Sequence, residues 1–222
     1  MHVEPGILSG GKVLAANAGA IATLGTYVGG FIRRPLDIVR TLLAAMFFSV
    51  FMQMWHMPVG PSELHLIGAS AIYFTFGFLP TLVGFCLGLL VQGLLFEPQD
   101  LLHLGVNSLS LMVPLVAAHA LGGARCFRSD EGADGAKLSW AVILRFDAIY
   151  YSGVVAMVGF WLSLGTASGS LASWGWFALS YLPLVVCEPA ISLGLLRLLG
   201  RLRSHDLVRR CTVLPRLNLG AA

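Results

Sequence analysis

The chain has 222 residues, of which 57% are hydrophobic and 11% are charged, and its mean hydropathy is +0.81. These values exclude an ordinary soluble domain and predict a membrane protein. The formal net charge of +3 is small and indicates no nucleic-acid partner. The four cysteines include no C-x-x-C pair, which predicts packing or incidental thiols instead of a disulfide framework or a zinc site.

The first two residues, Met1 and His2, form a candidate metal chelate. A free amino terminus followed by histidine offers the amine, the amide nitrogen and the imidazole in a row. Amine and amide close one chelate ring, amide and imidazole Nδ1 close a second, and one place in the plane remains for another imidazole. Such planar, nitrogen-rich sites suit Ni(II) or Cu(II) better than zinc or calcium. The segment lacks the basic region of a signal peptide, so we expect both residues to be retained.

A second motif near the amino terminus, Gly6-x-x-x-x-Gly11-Lys12, matches most of a phosphate-binding loop. Val13 stands where such a loop needs Ser or Thr, and no strand is predicted before it, so we expect no nucleotide site. The chain also has no H-E-x-x-H, G-x-S-x-G or paired-carboxylate motif. We therefore predict that it is not an enzyme and that any coupling to ATP comes from a partner.

Apolar segments long enough to span a membrane, which takes about 20 residues, occur at 13–32, 38–56, 81–96, 106–122, 139–164 and 173–199. The region 64–96 carries no Asp, Glu, Lys or Arg. As one helix it exceeds a hydrocarbon core of about 30 Å. A break near Pro80 divides it into a short helix, 65–78, and a full span. The sequence thus predicts an all-α polytopic membrane protein with about seven transmembrane helices.

The distribution of basic residues orients these helices. With the amino terminus outside, the inner segments 33–40, 123–138 and the tail after 199 hold most of the Lys and Arg residues. The outer segments 57–64, 97–105 and 165–172 hold none. We predict one transmembrane metal-binding domain, residues 1–200, and a solvated, basic cytoplasmic tail, residues 201–222. The spacings Gly25-x-x-x-Gly29 and Gly84-x-x-x-Gly88 predict close helix–helix contacts.

This topology places His65, at the start of the predicted third helix, on the same outer face as the amino terminus. The distance along the sequence between His65 and the first two residues is thus no obstacle to a joint site, although a single histidine at a helix start is more often a helix cap or a surface residue than a metal ligand. Metal-bound imidazoles need groups that orient them, and four nearby polar residues are candidates for that supporting role: Asn107, Glu63, His56 and His103.

Glu188 is the only carboxylate near the middle of a predicted span. Ionisable residues inside a membrane are costly and therefore candidates for function. A protonated or paired structural carboxylate is an equally open interpretation.

The chain resembles the substrate-binding membrane subunits (S components) of energy-coupling factor importers for cobalt and nickel, the CbiM/NikM family. The resemblance is carried by Met1-His2-Val3-Glu4-Pro5-Gly6, by Pro58 to Gly68, by Leu90 to Phe96, by Leu104-Gly105-Val106-Asn107 and by Pro114-Leu115-Val116. It implies that Met1, His2 and His65 hold the metal. Three features depart from the family pattern: the carboxylate of Glu63, Ser110 in place of an asparagine, and the lack of a histidine before Glu188.

The resemblance further implies capture of Ni²⁺ or Co²⁺ as the transported substrate at the outer face of a bacterial inner membrane. The implied partners are a transmembrane coupling (T) subunit, cytoplasmic ATPase subunits and, in some systems, a small accessory membrane subunit. Two alternatives stay open at this stage. One is a self-sufficient secondary metal permease with Glu188 as proton carrier, and the other is a non-transport scaffold or metal-delivery protein.

Overall fold

The protein was analysed as a computed structural model, which describes residues 6–31, 34–59, 62–127, 138–165 and 171–218. Helices dominate these residues, and one antiparallel pair of strands interrupts them. The elements in chain order are α1 (Gly10–Phe31), α2 (Pro35–Met54), β1 (His56–Val59), β2 (Ser62–His65), α3 (Ala69–Phe76), α4 (Phe78–Leu95), α5 (Leu104–Ala120), α6 (Trp140–Leu164), α7 (Leu171–Ser180), α8 (Leu182–Arg201) and α9 (Asp206–Cys211). Short 3-10 helices cover Pro98–His103, Gly123–Phe127 and Leu214–Arg216.

Within the described residues, six helical segments are long and apolar enough to cross a membrane. They are Gly10–Phe31, Pro35–Met54, Phe78–Leu95, Pro98–Ala120, Trp140–Leu164 and Trp174–Arg201. Each corresponds to one of the apolar segments recognised in the sequence, so the predicted helical, polytopic membrane class is confirmed. The exact number of crossings and the side on which each terminus lies stay predictions.

The predicted break between the third and fourth helices occurs at Gly77 and not near Pro80. Gly77 has φ of 90°, a conformation that side chains with a Cβ rarely adopt, and it ends α3 and begins α4. Pro80 lies in the first turn of α4, where a backbone N–H has no partner inside the helix, so proline costs nothing there. The predicted helix 65–78 is likewise shorter than expected, because residues 62–65 form β2 and α3 starts at Ala69.

The carboxyl-terminal tail defines one end of the bundle, which we call the tail end. The Arg40 guanidinium, near the start of α2, donates to the backbone carbonyls of Arg210 and Thr212 at 3.0 and 3.1 Å. The backbone N–H of Leu138, just before α6, donates to the carbonyl of Asn218 at 2.8 Å. The predicted inner segments around residues 40, 138 and 212 therefore do meet at one end.

The strand pair β1–β2 lies at the other end, which we call the hairpin end. The backbone N–H of Leu66 donates to the carbonyl of Trp55, at the carboxyl end of α2. The Lys12 ammonium donates to the carbonyl of Leu164, so the start of α1 and the end of α6 come together there. Helix α7 contacts both strands. The amino-terminal segment and the hairpin thus share one end, as predicted.

Helix α3 connects these two ends through the middle of the bundle. All eight of its residues are buried, and it contacts α2, α4, α6 and α8. At its carboxyl end the carbonyl of Thr75 accepts a hydrogen bond of 2.8 Å from the backbone N–H of Val213. Val213 and Leu214 are buried by this contact. The tail is therefore not uniformly solvated as expected, because its residues 212–214 pack against α3.

The two predicted glycine contacts have different outcomes. A Cβ at Gly84 would lie 2.7 Å from the Cβ of Ala44, and one at Gly88 would overlap the ring of Phe48, so α2 and α4 pack closely here, as predicted. At Gly25 and Gly29 no described atom lies within 4 Å of an added Cβ. The expectation of a close contact at Gly25 and Gly29 is therefore wrong within the described part of this chain.

Candidate metal centre at the hairpin end

A short β-hairpin positions His65, the only predicted metal ligand within the described residues. Its strands pair antiparallel, with His56 opposite His65 and Pro58 opposite Glu63. Gly68 follows in the left-handed conformation, with φ of 67°, and redirects the chain from β2 into α3. The ring of Phe51 occupies the space that a Cβ at Gly68 would need. Glycine is therefore required there on both conformational and steric grounds.

His65 is 4% exposed, and its imidazole has a different neighbour at each ring nitrogen. Nδ1 lies 3.5 Å from the backbone carbonyl oxygen of Met52, and Nε2 lies 3.0 Å from Oε2 of Glu63. The ring of the exposed His56 stacks beside it, with centroids 5.9 Å apart and an interplanar angle of 27°. The side chain is therefore held in a fixed orientation, with Nε2 on the side of the partly exposed Glu63 carboxylate.

The structure brings two of the four predicted supporting residues, His56 and Glu63, directly against His65. Their positions differ from those expected, because His56 lies in β1 and not at the end of the second helix. His103 and Asn107 are buried at the hairpin end, at the end of the 3-10 helix Pro98–His103 and in the first turn of α5. Their proposed support of a metal ligand stays a prediction.

Met1 and His2, the other predicted ligands, lie outside the described residues. Close to them in the chain, Ile7 and Leu8 are buried at the hairpin end, where His65 also lies. Ile7 packs so closely against Gly165 that a Cβ there would lie 2.9 Å from Ile7 Cγ2. Among the described residues, no group of three or more His, Cys, Asp or Glu side chains could by itself hold a metal ion.

A buried polar cluster lies directly behind the hairpin. The carboxylate of Glu188, 1% exposed, accepts a 2.7 Å hydrogen bond from the backbone N–H of Ala69 and another from the Tyr151 hydroxyl. Asp147, fully buried, accepts one of 2.8 Å from the Ser70 hydroxyl, whose oxygen also lies 2.8 Å from that of Ser192. Glu188 thus satisfies a free N–H at the start of α3, where the helix dipole also favours negative charge.

Sequence analysis singled out Glu188 but missed most of this cluster. The usable signal was helical spacing, since Asp147 and Tyr151 are four residues apart in α6 and Glu188 and Ser192 four apart in α8. Such pairs share a helix face, yet which neighbour faces them is decided by tertiary packing. The observed contacts favour the paired, structural interpretation of Glu188.

Comparisons with known proteins agree with this arrangement of membrane helices. Residues 2–205 match the family model described as "Cobalt uptake substrate-specific transmembrane region". A Haemophilus influenzae protein that is provisionally named a metal transport protein is 30% identical over 207 residues, covering 91% of this chain and 94% of that protein.

Two solved structures share the fold. One, titled as a transition metal transporter, has a TM-score of 0.70 and 19% identity, with coverage of 95% of this chain and 97% of that one. The other, titled as a truncated transition metal transporter, has a TM-score of 0.69 and 20% identity, with coverage of 93% and 100%. The fold is that of a polytopic membrane protein, and the family match places the chain among metal-uptake proteins. The chain belongs to the CbiM family of cobalt-uptake transmembrane proteins.

Proposed function

We propose that this protein is the substrate-binding membrane subunit of an energy-coupling factor importer, and that it captures Ni²⁺ or Co²⁺ at the outer face of a bacterial inner membrane. The observation that carries the proposal is the placement of a buried, oriented imidazole, His65, at the same end of the bundle as the amino-terminal segment. Family membership and the transporter folds of the two structural relatives support metal transport.

The proposed metal site joins two distant parts of the chain. Met1 contributes its amine, His2 its amide and imidazole nitrogens, and His65 the fourth nitrogen. The hairpin fixes one imidazole before the metal arrives, which lowers the cost of ordering that ligand. Nitrogen donors of this kind favour Ni²⁺ and Cu²⁺ intrinsically, so discrimination between metals depends on geometry and availability.

Release would occur at the tail end and would depend on partners. We propose that a transmembrane coupling subunit and ATPase subunits reorient the protein, with an accessory membrane subunit in some assemblies. The tail end carries exposed arginines such as Arg203 and Arg209, which suits contact with a cytoplasmic partner or with anionic lipid. Cells that hold this subunit without the ATPase subunits should accumulate no metal, and uptake that persists would favour a secondary permease.

Titration of the purified protein with Ni²⁺ and Co²⁺ tests the proposal most directly. The protein needs a native amino terminus and a carboxyl-terminal tag. His2→Ala is the matched comparison, because it removes the imidazole from the proposed chelate and leaves the described fold untouched. We expect tight binding by the native protein and a loss of at least about 100-fold in His2→Ala, more than changes around a metal ligand usually cost. Equal binding by both proteins would overturn the site.

A further inference from the structure

We propose that the tail end of the bundle binds an anionic phospholipid, whose headgroup is held by Arg125 and Arg145 at the mouth of a small cavity. This lipid site is separate from the proposed metal site, which lies at the hairpin end. It gives a binding role to two basic residues that otherwise serve only to orient the helices in the membrane.

The cavity lies between the end of α5, the start of α6 and the 3-10 helix Gly123–Phe127, and its volume is about 190 Å³. Its apolar wall includes Phe74, Val142, Phe146 and Ile149. Pockets that enclose a whole small molecule usually measure about 300–1,000 Å³. The cavity therefore admits only part of a larger molecule, and the remainder stays at the surface of the bundle.

Arg125 and Arg145 border the open side of this cavity. Both arginines are exposed, whereas Phe74 and Phe146 behind them are buried. The Arg145 guanidinium donates to the carbonyl of Leu121 at 3.4 Å, which holds it beside the 3-10 helix that carries Arg125. This bond is long and uses one of five donors, so the others can serve a ligand. Two positive charges above an aromatic floor suit an anionic head joined to an apolar tail.

No carboxylate balances these two charges within the described part of the chain. The arginines that form ion pairs there are Arg40, with Asp37, and Arg209, with Asp206. A ligand that carries a negative charge would supply the counter-charge that the described residues do not provide.

The depth of Arg145 in the bundle points to a membrane lipid. Trp140, the first residue of α6, is 40% exposed, and exposed tryptophans are typical of the boundary between membrane and water. Arg145 follows five residues later, about 7.5 Å farther along the helix axis. A guanidinium at that depth is costly unless its head reaches the interface or meets an anion. Lipid phosphates lie at this boundary, and arginine binds phosphate through two parallel hydrogen bonds.

A phospholipid fits this cavity better than a free phosphate ion does. Free phosphate would use the two arginines and leave the apolar wall unoccupied, whereas a lipid also covers that wall with an acyl chain. Basic pockets between membrane helices on the cytoplasmic side are typical sites for anionic headgroups. The tail end, where this cavity lies, is the predicted inner side of the protein.

The test uses the full-length protein, purified in detergent and stripped of lipid. Fluorescent phosphatidylglycerol is bound first and then displaced by unlabelled phosphatidylglycerol, phosphatidylcholine or inorganic phosphate. The first variant is Arg125→Gln combined with Arg145→Gln. The matched control is Arg197→Gln combined with Arg201→Gln, which removes the same charge from exposed positions in the last turns of α8, outside the cavity lining.

We expect the native protein to bind phosphatidylglycerol at least about 10-fold more tightly than phosphatidylcholine, and inorganic phosphate to displace little of the labelled lipid. The variant of Arg125 and Arg145 should lose about 30-fold in affinity for phosphatidylglycerol, the factor typical of two basic residues near anionic lipid. The control should lose less than about 3-fold. Binding of Ni²⁺ and Co²⁺ should be the same in all three proteins.

Equal affinity of the native protein for the two lipids would overturn the proposal. Displacement by inorganic phosphate as effective as that by phosphatidylglycerol would show a free-anion site and refute the lipid. Equal losses in the two double variants would reduce the effect to general charge attraction and refute a role for the cavity. Because the first two outcomes need only the native protein, a variant that fails to fold does not prevent the test.

Discussion

The carboxylate of Glu188 in α8 accepts a hydrogen bond of 2.7 Å from the backbone N–H of Ala69, the first residue of α3. An acidic side chain of α8 thus caps the amino-terminal end of a helix from a distant part of the chain. Because Ala69 follows His65 by four residues, the same contact holds the strand that carries His65 close to α8.

Replacing Glu188 should therefore destabilise the protein. Glu188→Ala leaves the Ala69 N–H and the Tyr151 hydroxyl without an acceptor, and each buried unsatisfied group costs about 1–3 kcal/mol. We expect the free energy of unfolding to fall by about 2–6 kcal/mol. Glu188→Gln keeps an oxygen acceptor and should lose less. Denaturant unfolding in detergent measures both, with Tyr151→Phe as the variant that removes only one bond.

An unchanged stability of Glu188→Ala would mean that the carboxylate does not hold α3. That result would instead favour a proton-carrying role for Glu188, as in a secondary permease.

Alanine substitutions of His65 and His56 should differ sharply in their effect on metal binding, although the two rings stack. His65→Ala removes a buried imidazole that is a proposed ligand, and it should weaken Ni²⁺ and Co²⁺ binding by more than about 100-fold, beyond the usual cost of losing a supporting group. His56 is exposed and contacts His65 through its ring face, so His56→Ala should cost less than about 10-fold. Competition titration with a coloured chelator measures both. Similar losses in the two variants would place His56 among the ligands.

The close approach of α2 and α4 predicts a stability difference between two glycine-to-alanine substitutions. A methyl group at Gly88 would overlap Phe48 and lie 3.2 Å from the Ala45 carbonyl oxygen. Overpacking of this kind costs about 1–3 kcal/mol. Gly25→Ala is the control, because no described atom lies within 4 Å of the new methyl group. Thermal unfolding in detergent should show a lower midpoint for Gly88→Ala alone, and a lower midpoint for Gly25→Ala instead would contradict the observed packing.

Metal binding should weaken in mild acid. The proposed ligands bind in deprotonated form, so binding displaces protons from the amine, with an ordinary pKa of about 7.7–8.0, and from the amide. Two displaced protons give roughly a 100-fold loss of affinity per pH unit below about pH 7.5, and the loss steepens below about 6.5, where free imidazole also protonates. Ni²⁺ titrations at several pH values measure the slope. A pH-independent affinity would exclude the amine and amide as ligands.

Sequence patterns predicted the membrane helices well, because the length of an apolar segment can be read directly from the sequence. They misplaced the break between α3 and α4, since Pro80 is tolerated in the first turn of a helix whereas Gly77 supplies the unusual backbone angle. The sequence does not predict the hairpin, because Pro58 and Pro61 are typical of turns and its strands have only four residues each.

Contacts between distant elements were the least predictable part. The same Gly-x-x-x-Gly spacing marks a close contact at Gly84 and Gly88 and none at Gly25, because the pattern does not say which helix face has a neighbour. His65 was identified from the family resemblance together with its place on the outer face, whereas the Asp147 and Glu188 contacts depend on how α6 and α8 turn toward α3. Met1 and His2, outside the described residues, stay predictions.

Helix α3 is fastened at both ends by other parts of the chain: Glu188 holds its first N–H, and the backbone of Val213 holds the carbonyl of Thr75. Eight buried residues have little freedom to compress or bend between these two attachments. The helix therefore forms a rigid connection between the hairpin that carries His65 and the carboxyl-terminal tail. If the tail moves, either the hydrogen bond between Val213 and Thr75 breaks or α3 moves with the tail. In the second case the start of α3, which follows His65 in the chain, is displaced as well.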